Sequence, residues 1–483
     1  MAQSIPNKVL QNTETIIAGN LISISIGLVT NIFIVRYLGA SNFGIYASIF
    51  AYLAFFSVIT DLGIGSIIVR EAAKDRARAG DMIGNAIVIR LALSVVAILA
   101  SCIVVSFLRY PLSVKLMIYI ASMSFLFSLS SVCRIAFQVN LQMKYPVFAD
   151  IVSVTCKCAA VLFLVFVKAS LVWFIVAEVL ANIPSTAILW RMSKRLVHFK
   201  VGIDLKLWRF IFIESWPLAI SSVFAIIYLR ADVLILAFIK GASAVGYYSA
   251  VYKFTETLSV LPSAFMISVF PIMSNYFKHS PESLVKSYRM IFKYILTAIL
   301  PLAVGISLLS PRILPLIYGN KFQPSIPVLS VLIWVQVFFF MNTVLHYMII
   351  SIGKQKAGTF NICAMVIVNL GLNFALIPAY SFIGTSAAKV ATEALGSILG
   401  IAWLAFFGYR LPLFKLILRP LAGAAAVGLF IYYFSKLHLL AIIPAAVLIY
   451  ILVELLVGAF NREDVALIKS CFGIKKEVVY GER

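Results

Sequence analysis

Residues 39–48 read GASNFGIYAS, and residues 241–250 read GASAVGYYSA. With an offset of 202, Gly39, Ala40, Ser41, Gly44 and Tyr46 fall on Gly241, Ala242, Ser243, Gly246 and Tyr248. Further along, Ser57, Val58 and Ser66 fall on Ser259, Val260 and Ser268. The Gly-Ala-Ser-x-x-Gly pattern suits a tight turn that opens a helix. Glycine permits the backbone angles, and serine can cap the free N–H groups. The chain therefore reads as an internal duplication, and the residues around each copy say what is duplicated.

Those surroundings are apolar. Of the 483 residues, 63% are hydrophobic and 12% charged, with a mean hydropathy of +1.04. The charged share is about half that of a soluble domain. Apolar runs of ~20 residues recur along the whole length, each able to cross a bilayer core as a helix. In lipid every backbone polar group must be satisfied internally, so helices are expected, and the alternation of barrel strands is absent. The first run, Thr15 to Val35, is too long for a signal-peptide core and is expected to be a retained span. The expected fold class is an all-α integral membrane protein with about fourteen transmembrane helices. The expected spans are 15–35, 43–69, 82–108, 112–139, 146–167, 169–190, 212–238, 244–274, 290–311, 325–351, 357–378, 382–408, 416–435 and 438–459.

Loop charge tests the count, because lysine and arginine accumulate on the cytoplasmic side. With bases in the first turn of a span counted with the adjoining loop, 26 of the 40 basic residues share one side with both termini, eight lie opposite, and six fall deeper within spans. One missed span would invert every later loop. Both termini are thus expected in the cytoplasm. The net charge of +22 follows mainly from this topology. The basic loops can attract anionic headgroups, and without a soluble folded domain no nucleic-acid partner is expected. The six cysteines form no pair of metal-ligand pairs, and they read as small apolar side chains. No cofactor, metal or catalytic residue is expected.

The two repeat copies join helix 1 to helix 2 and helix 7 to helix 8, so the halves run parallel, one recognised plan for transporters. The expected domains are a six-helix lobe 1–192, a basic cytoplasmic linker 193–209, a second six-helix lobe 210–409, helices 13 and 14 in 410–461, and a cytoplasmic tail 462–483. The linker region, RMSKRLVHFKVGIDLKLWRF (191–210), interleaves basic and apolar residues and reads as lying on the headgroup surface, with His198 interfacial.

The stretch NLISISIGLVTNIFIVRYLGASNFGIYASIFAYLAFFSVITDLGIGSIIVRE resembles the opening of the polysaccharide (O-antigen type) flippases. These belong to the multidrug/oligosaccharidyl-lipid/polysaccharide exporter superfamily. The residues carrying the resemblance are Arg36, Leu38, Gly39, Phe43, Gly44, Tyr46, Asp61 and Gly63, and RADVLILAFIKGASAVGYYSAVYKF is similar to the second-lobe signature. The resemblance implies two lobes around a central cavity. It also implies transfer of undecaprenyl-pyrophosphate-linked oligosaccharide units from the cytoplasmic to the periplasmic leaflet of a bacterial inner membrane, for O-antigen, capsule or exopolysaccharide synthesis. Ion-coupled alternating access, a proton or sodium ion, and a polysaccharide polymerase with a chain-length regulator as partners belong to the same implication. A multidrug antiporter or a peptidoglycan lipid-precursor flippase of the superfamily are the alternatives. A membrane enzyme is not expected, because the longest outer connection, residues 311–325, holds no carboxylate or histidine.

Charges within spans cost ~2.5–3.5 kcal/mol each at the bilayer centre, so they should pair, snorkel or face a cavity. Arg90, Arg134, Lys157, Arg230, Lys253 and Lys389 are the candidates for gripping a pyrophosphate or acidic sugars, arginine because its planar donors bind oxygens in pairs. Asp61, Glu178, Asp232, Glu256 and Glu393 are the candidates for ion coupling; Glu454 is a further intramembrane acid. Lys253 with Glu256, and Lys389 with Glu393, are spaced to share a helix face and neutralise each other. Arg90 and Arg134 lie near helix ends and have snorkelling as a competing reading.

Overall fold

The computed structural model describes residues 5–76 and 78–458; the expected tail 462–483 lies outside the described residues. Among the described residues every regular element is helical, and twelve helical stretches are long and apolar enough to cross a membrane. Two are too long for one crossing. Helix α1, Ile5–Asp61, has 57 residues, about 86 Å at ~1.5 Å per residue. It is two helices joined at Gly39, whose φ of 69° and ψ of 176° interrupt the hydrogen-bond ladder. Helix α14, Gln355–Phe406, is likewise interrupted at Ser381 (φ 51°, ψ −134°), three residues after Pro378.

Other expected spans are broken near their middle. The span 43–69 is interrupted at Leu62 and Gly63, both at positive φ, and resumes as α2, Ile64–Lys74. The next helix, α3, runs unbroken over Ala79–Phe107. Beyond it, α4 (Leu112–Ser122) and α5 (Leu129–Val139) are separated by a 3₁₀ turn. Next come α6 (Lys144–Phe166), α7 (Leu171–Leu180) and α8 (Asn182–Leu196), then α9 (Leu205–Lys240) and α10 (Ala242–Glu256). A further 3₁₀ turn leads to α11 (Val260–His279), followed by α12 (Pro281–Tyr318) and α13 (Ile326–Ser351). After α14 come α15 (Leu413–Tyr433) and α16 (Leu439–Leu456). Apolar periodicity hides such breaks, because a kinked span is as hydrophobic as a straight one. They leave backbone groups unpaired at membrane depth, which is tolerated only inside protein or beside water.

Helix α3 is inverted relative to a soluble helix. Its exposed side chains include Val95, Val96, Leu99 and Ile103, while Arg90, Ser94 and Ser101 are buried. Apolar outside and polar inside is the arrangement lipid selects.

Contacts gather the chain into two compact units. One comprises residues 1–258, 314–328 and 362–392; the other comprises 259–313, 329–361 and 393–483. Both repeat copies lie in the first unit and pack on each other. A Cβ on Gly44 would coincide with the carbonyl of Ala242, and a Cβ on Gly246 with the carbonyl of Ala40. Residues 40 and 242 are themselves equivalent in the repeat, so the contact is a local two-fold. Gly241, with φ 81° and ψ −178°, has the same conformation as Gly39. The residues of the linker outside helices, 197–204, are docked on α3 in this unit. The Asn85 carbonyl oxygen accepts from the Asp204 backbone N–H at 2.8 Å and from Trp208 Nε1 at 3.0 Å. Cβ atoms on Gly80 and Gly84 would strike the carbonyls of His198 and Lys200. In the second unit α15 and α16 pack beside α12, with Leu309, Val427, Ile431 and Ile442 buried together.

Candidate functional site

The break after Asp61 decides one site. It ends α1 there, and Arg90 reaches Asp61 from the middle of α3 in a direct ion pair. Both face a cavity of about 430 Å³ that is also lined by Arg134, Ser131 and Gln138. The Arg90 side chain is 9% exposed and Asp61 50%, so the arginine is walled in while its carboxylate partner stays accessible. Arg90 Nε is buried without a hydrogen-bond partner. Arg134 grips Asp150 of α6 with both terminal nitrogens, one at 2.9 Å. Two guanidiniums thus border one cavity, each neutralised by an aspartate that an incoming anion could replace.

A second group of charges lies beside the first repeat copy. Lys157 of α6 pairs with Glu178 of α7 at 2.6 Å, and Tyr46 donates its hydroxyl proton to the same carboxylate. On α9 and α10, Glu256 binds Lys253 at 3.1 Å and Arg230 at 3.6 Å. Lys253 also acts on Glu178 electrostatically, so the two groups, three bases and two acids in all, are neighbours. These side chains are partly exposed, Glu178 at 26% and Glu256 at 27%.

Asp232 and Lys389 behave differently. They pair at 3.8 Å with side chains 1% and 3% exposed. Tyr248 donates to Asp232 at 2.7 Å, and the Asp232 carboxylate also accepts from the Val233 N–H at 2.8 Å. Lys389 donates to the Tyr228 carbonyl at 2.7 Å and sits 4.0 Å from the centre of that ring. A buried pair satisfied on every side holds helices together and offers a ligand little. Tyr46 and Tyr248 are equivalent repeat residues, and each donates to a carboxylate, partly exposed Glu178 for one and buried Asp232 for the other. Glu393 accepts from the Asn342 side chain at 2.7 Å.

The structure thus brings Asp61, Arg90 and Arg134 to one cavity, and pairs Lys157 with Glu178 and both Arg230 and Lys253 with Glu256. It sets Asp232 and Lys389 into a sealed pair. The i,i+4 spacing of Lys389 and Glu393 points to mutual neutralisation; in the structure Lys389 has Asp232, on another helix, as an ion-pair partner. Asp150, one turn into the expected span 146–167, is not among the acids that the sequence singled out. The tyrosines and Asn342 carried no charge signal at all.

Lipid-facing helices enclosing ion pairs around a polar cavity define a multi-pass membrane protein of transporter fold. The family model described as "Polysaccharide biosynthesis protein" matches residues 9–277, and a second, MatE, matches residues 217–375. The chain belongs to the polysaccharide biosynthesis protein family. It is 27% identical over 430 residues to a probable flippase, AglR, of Haloferax volcanii, covering 85% of this chain and 87% of that protein. A putative O-antigen transporter of Shigella flexneri is 27% identical over 202 residues, which span 41% of this chain and about half, 46%, of that relative. Among solved structures, the lipid II flippase MurJ in an inward closed conformation superposes with a TM-score of 0.76 at 15% identity, covering 95% of this chain and 99% of that one. An inward-facing MATE multidrug resistance transporter superposes with 0.67 at 14% identity, covering 80% and 98%. The proteins that the chain resembles are transporters and flippases, not enzymes.

Proposed function

We propose that this protein is a flippase that carries polyprenyl-pyrophosphate-linked oligosaccharide units from the cytoplasmic to the outer leaflet, for O-antigen, capsule or exopolysaccharide assembly. The observation that carries this reading is the cavity bordered by Arg90 and Arg134 within lipid-embedded helices, in a chain of the polysaccharide biosynthesis protein family. The flippase and O-antigen names of its relatives support it. The polyprenyl tail can stay in lipid while the charged head needs a wet, cationic path. A pyrophosphate entering the cavity displaces Asp61 from Arg90 and Asp150 from Arg134, trading one charge-assisted pair for another. The net cost of desolvation is small, because the cations are already held in place.

In this reading α1 and α14 each cross twice, giving fourteen crossings, with lobes 1–192 and 210–409 rocking about the docked linker and both termini in the cytoplasm. The membrane is the bacterial inner membrane. A proton or sodium gradient acts through Glu178 and Glu256, which are partly exposed and held by lysines, rather than through the sealed Asp232.

The test is translocation of a fluorescent polyprenyl-pyrophosphate oligosaccharide in proteoliposomes, read by quencher accessibility. Arg90→Gln and Arg134→Gln should each lower the rate roughly tenfold or more, since each removes charged hydrogen bonds of ~1.5–3 kcal/mol. Wild-type rates in both variants, or export of an organic cation with no oligosaccharide movement, would overturn the assignment.

A further inference from the structure

Glu454 of α16 stands apart from the other acids of the chain. It is fully buried, and neither carboxylate oxygen has a hydrogen-bond partner. Among the described residues no other buried carboxylate is left so. The buried Asp232 accepts from Tyr248 and from the Val233 N–H, and Glu393 accepts from Asn342. Glu454 lies in the second compact unit and shares no residue with the cavity of Arg90 and Arg134.

Groups from α12, α15 and α16 surround it. On α15, Gly423 yields the space, since a Cβ there would strike Glu454 Oε1 and the Tyr450 ring. The carboxyl group thus presses on helix backbone whose N–H groups are already committed. On α16 itself, Tyr450 is one turn earlier on the same face, and its hydroxyl donates to the Thr297 carbonyl of α12 at 2.6 Å. The charged groups that act on Glu454 are Lys293 of α12 and Arg419 of α15, and neither donates a hydrogen bond to it. Lys293 sits 5.6 Å from the centre of the Tyr294 ring. Arg419 donates to the Gly458 carbonyl at 2.7 Å, which fastens the end of α16 to α15.

An ionised carboxylate buried without donors is far costlier than a neutral acid, above all at membrane depth. A protonated carboxyl brings its own donor. The Tyr450 oxygen has given its hydrogen to Thr297 and keeps lone pairs to accept one, so a neutral Glu454 completes a line from α16 through Tyr450 to α12.

We propose that Glu454 is a proton site, and that its proton decides what Arg419 holds. With the proton on, the acid is neutral, α16 packs against Gly423, and Arg419 stays on the Gly458 carbonyl. The proton leaves to water at the membrane end that loop charge assigns to the cytoplasm. The carboxylate then takes its donors from Arg419, because a guanidinium–carboxylate pair is stronger than a guanidinium–carbonyl bond, and the end of α16 is released. The latch is independent of what the protein transports.

The experiment uses the purified full-length protein in lipid nanodiscs. At neutral pH the infrared difference between wild type and Glu454→Gln should contain the carbonyl stretch of a protonated carboxylic acid, which an ionised carboxylate does not give. Hydrogen–deuterium exchange, corrected for the intrinsic pH dependence of amide exchange, reads the latch at Val457 and Gly458, whose N–H groups bond back to Val453 and Leu455. In wild type these amides should exchange on the order of tenfold faster at alkaline than at acid pH, the effect of losing one charged hydrogen bond. Glu454→Gln, neutral at every pH and nearly isosteric, should stay slow throughout, and Arg419→Gln should be fast at both. A difference spectrum without the acid band overturns the proposal. So does a pH response shared equally by wild type and Glu454→Gln, or slow exchange in Arg419→Gln.

Discussion

At Gly44 and Gly246 the backbone of one repeat copy occupies the space a side chain of the other would need. Neither carbonyl opposite can move without parting two long helices. Gly44→Ala should therefore destabilise by about 1–3 kcal/mol or more, the range of overpacked cores. A Cβ at Gly27 meets nothing within 4 Å, so Gly27→Ala should be neutral or slightly stabilising. Thermal unfolding of both in detergent distinguishes a true close approach from a general intolerance of glycine replacement. The ion pairs pose a separate question at this scale. Arg90→Leu alone leaves a half-exposed Asp61 and should cost little, whereas Asp61→Leu alone strands a nearly enclosed arginine, a loss below the ~3–5 kcal/mol of a fully buried pair broken on one side. The double variant Arg90→Leu, Asp61→Leu should recover most of the stability and none of the oligosaccharide translocation. Recovery of both would reduce the pair to a structural brace.

The elements are set as much by their interruptions as by their helices. Ser381 holds a backbone conformation that side chains resist, at a cost of ~1–3 kcal/mol. Ser381→Gly should raise the unfolding midpoint, and Ser381→Val should lower it, since a β-branched residue fits positive φ worst. The linker shows how a segment that reads as a surface strap becomes part of a lobe. Asn85 holds it by two hydrogen bonds to one carbonyl oxygen, and the backbone of 198–200 fills the hollows left by Gly80 and Gly84. Asn85→Ala should loosen residues 197–204, seen as faster tryptic cleavage at Lys200 with the helices still intact. An unchanged cleavage rate would mean that backbone packing alone fastens the strap.

At the scale of the whole molecule, topology is the quantity to test. In a cysteine-free background, Lys240→Cys should react with a membrane-impermeant thiol reagent applied to intact cells, and Lys200→Cys should react only after lysis. Labelling of both from outside would break the fourteen-crossing arrangement. The helical class, the apolar spans and the duplication were legible in the sequence, because lipid demands hydrophobic length and the repeat keeps its glycines. The breaks within α1 and α14 were legible, since the expected spans part at 36–42 and at 379–381, where Gly39 and Ser381 leave the helical conformation; the break at Leu62 and Gly63, inside the expected span 43–69, was not. Of the site, the intramembrane charges were visible as anomalies in apolar helices. Their partners were not, and Asp150, Tyr46, Tyr248 and Asn342 entered only with the fold.

Hydropathy, loop charge and the repeated turn by themselves determined a membrane-spanning helical protein built twice over, because each is a local property that survives without knowing any neighbour. Which charge meets which was decided by tertiary structure alone. Lys389 pairs with Asp232 on another helix, while Arg90 and Arg134 border a cavity formed where a helix stops at Asp61. Ion pairing depends on a few ångströms of separation between distant segments, and no periodicity along the chain encodes that distance.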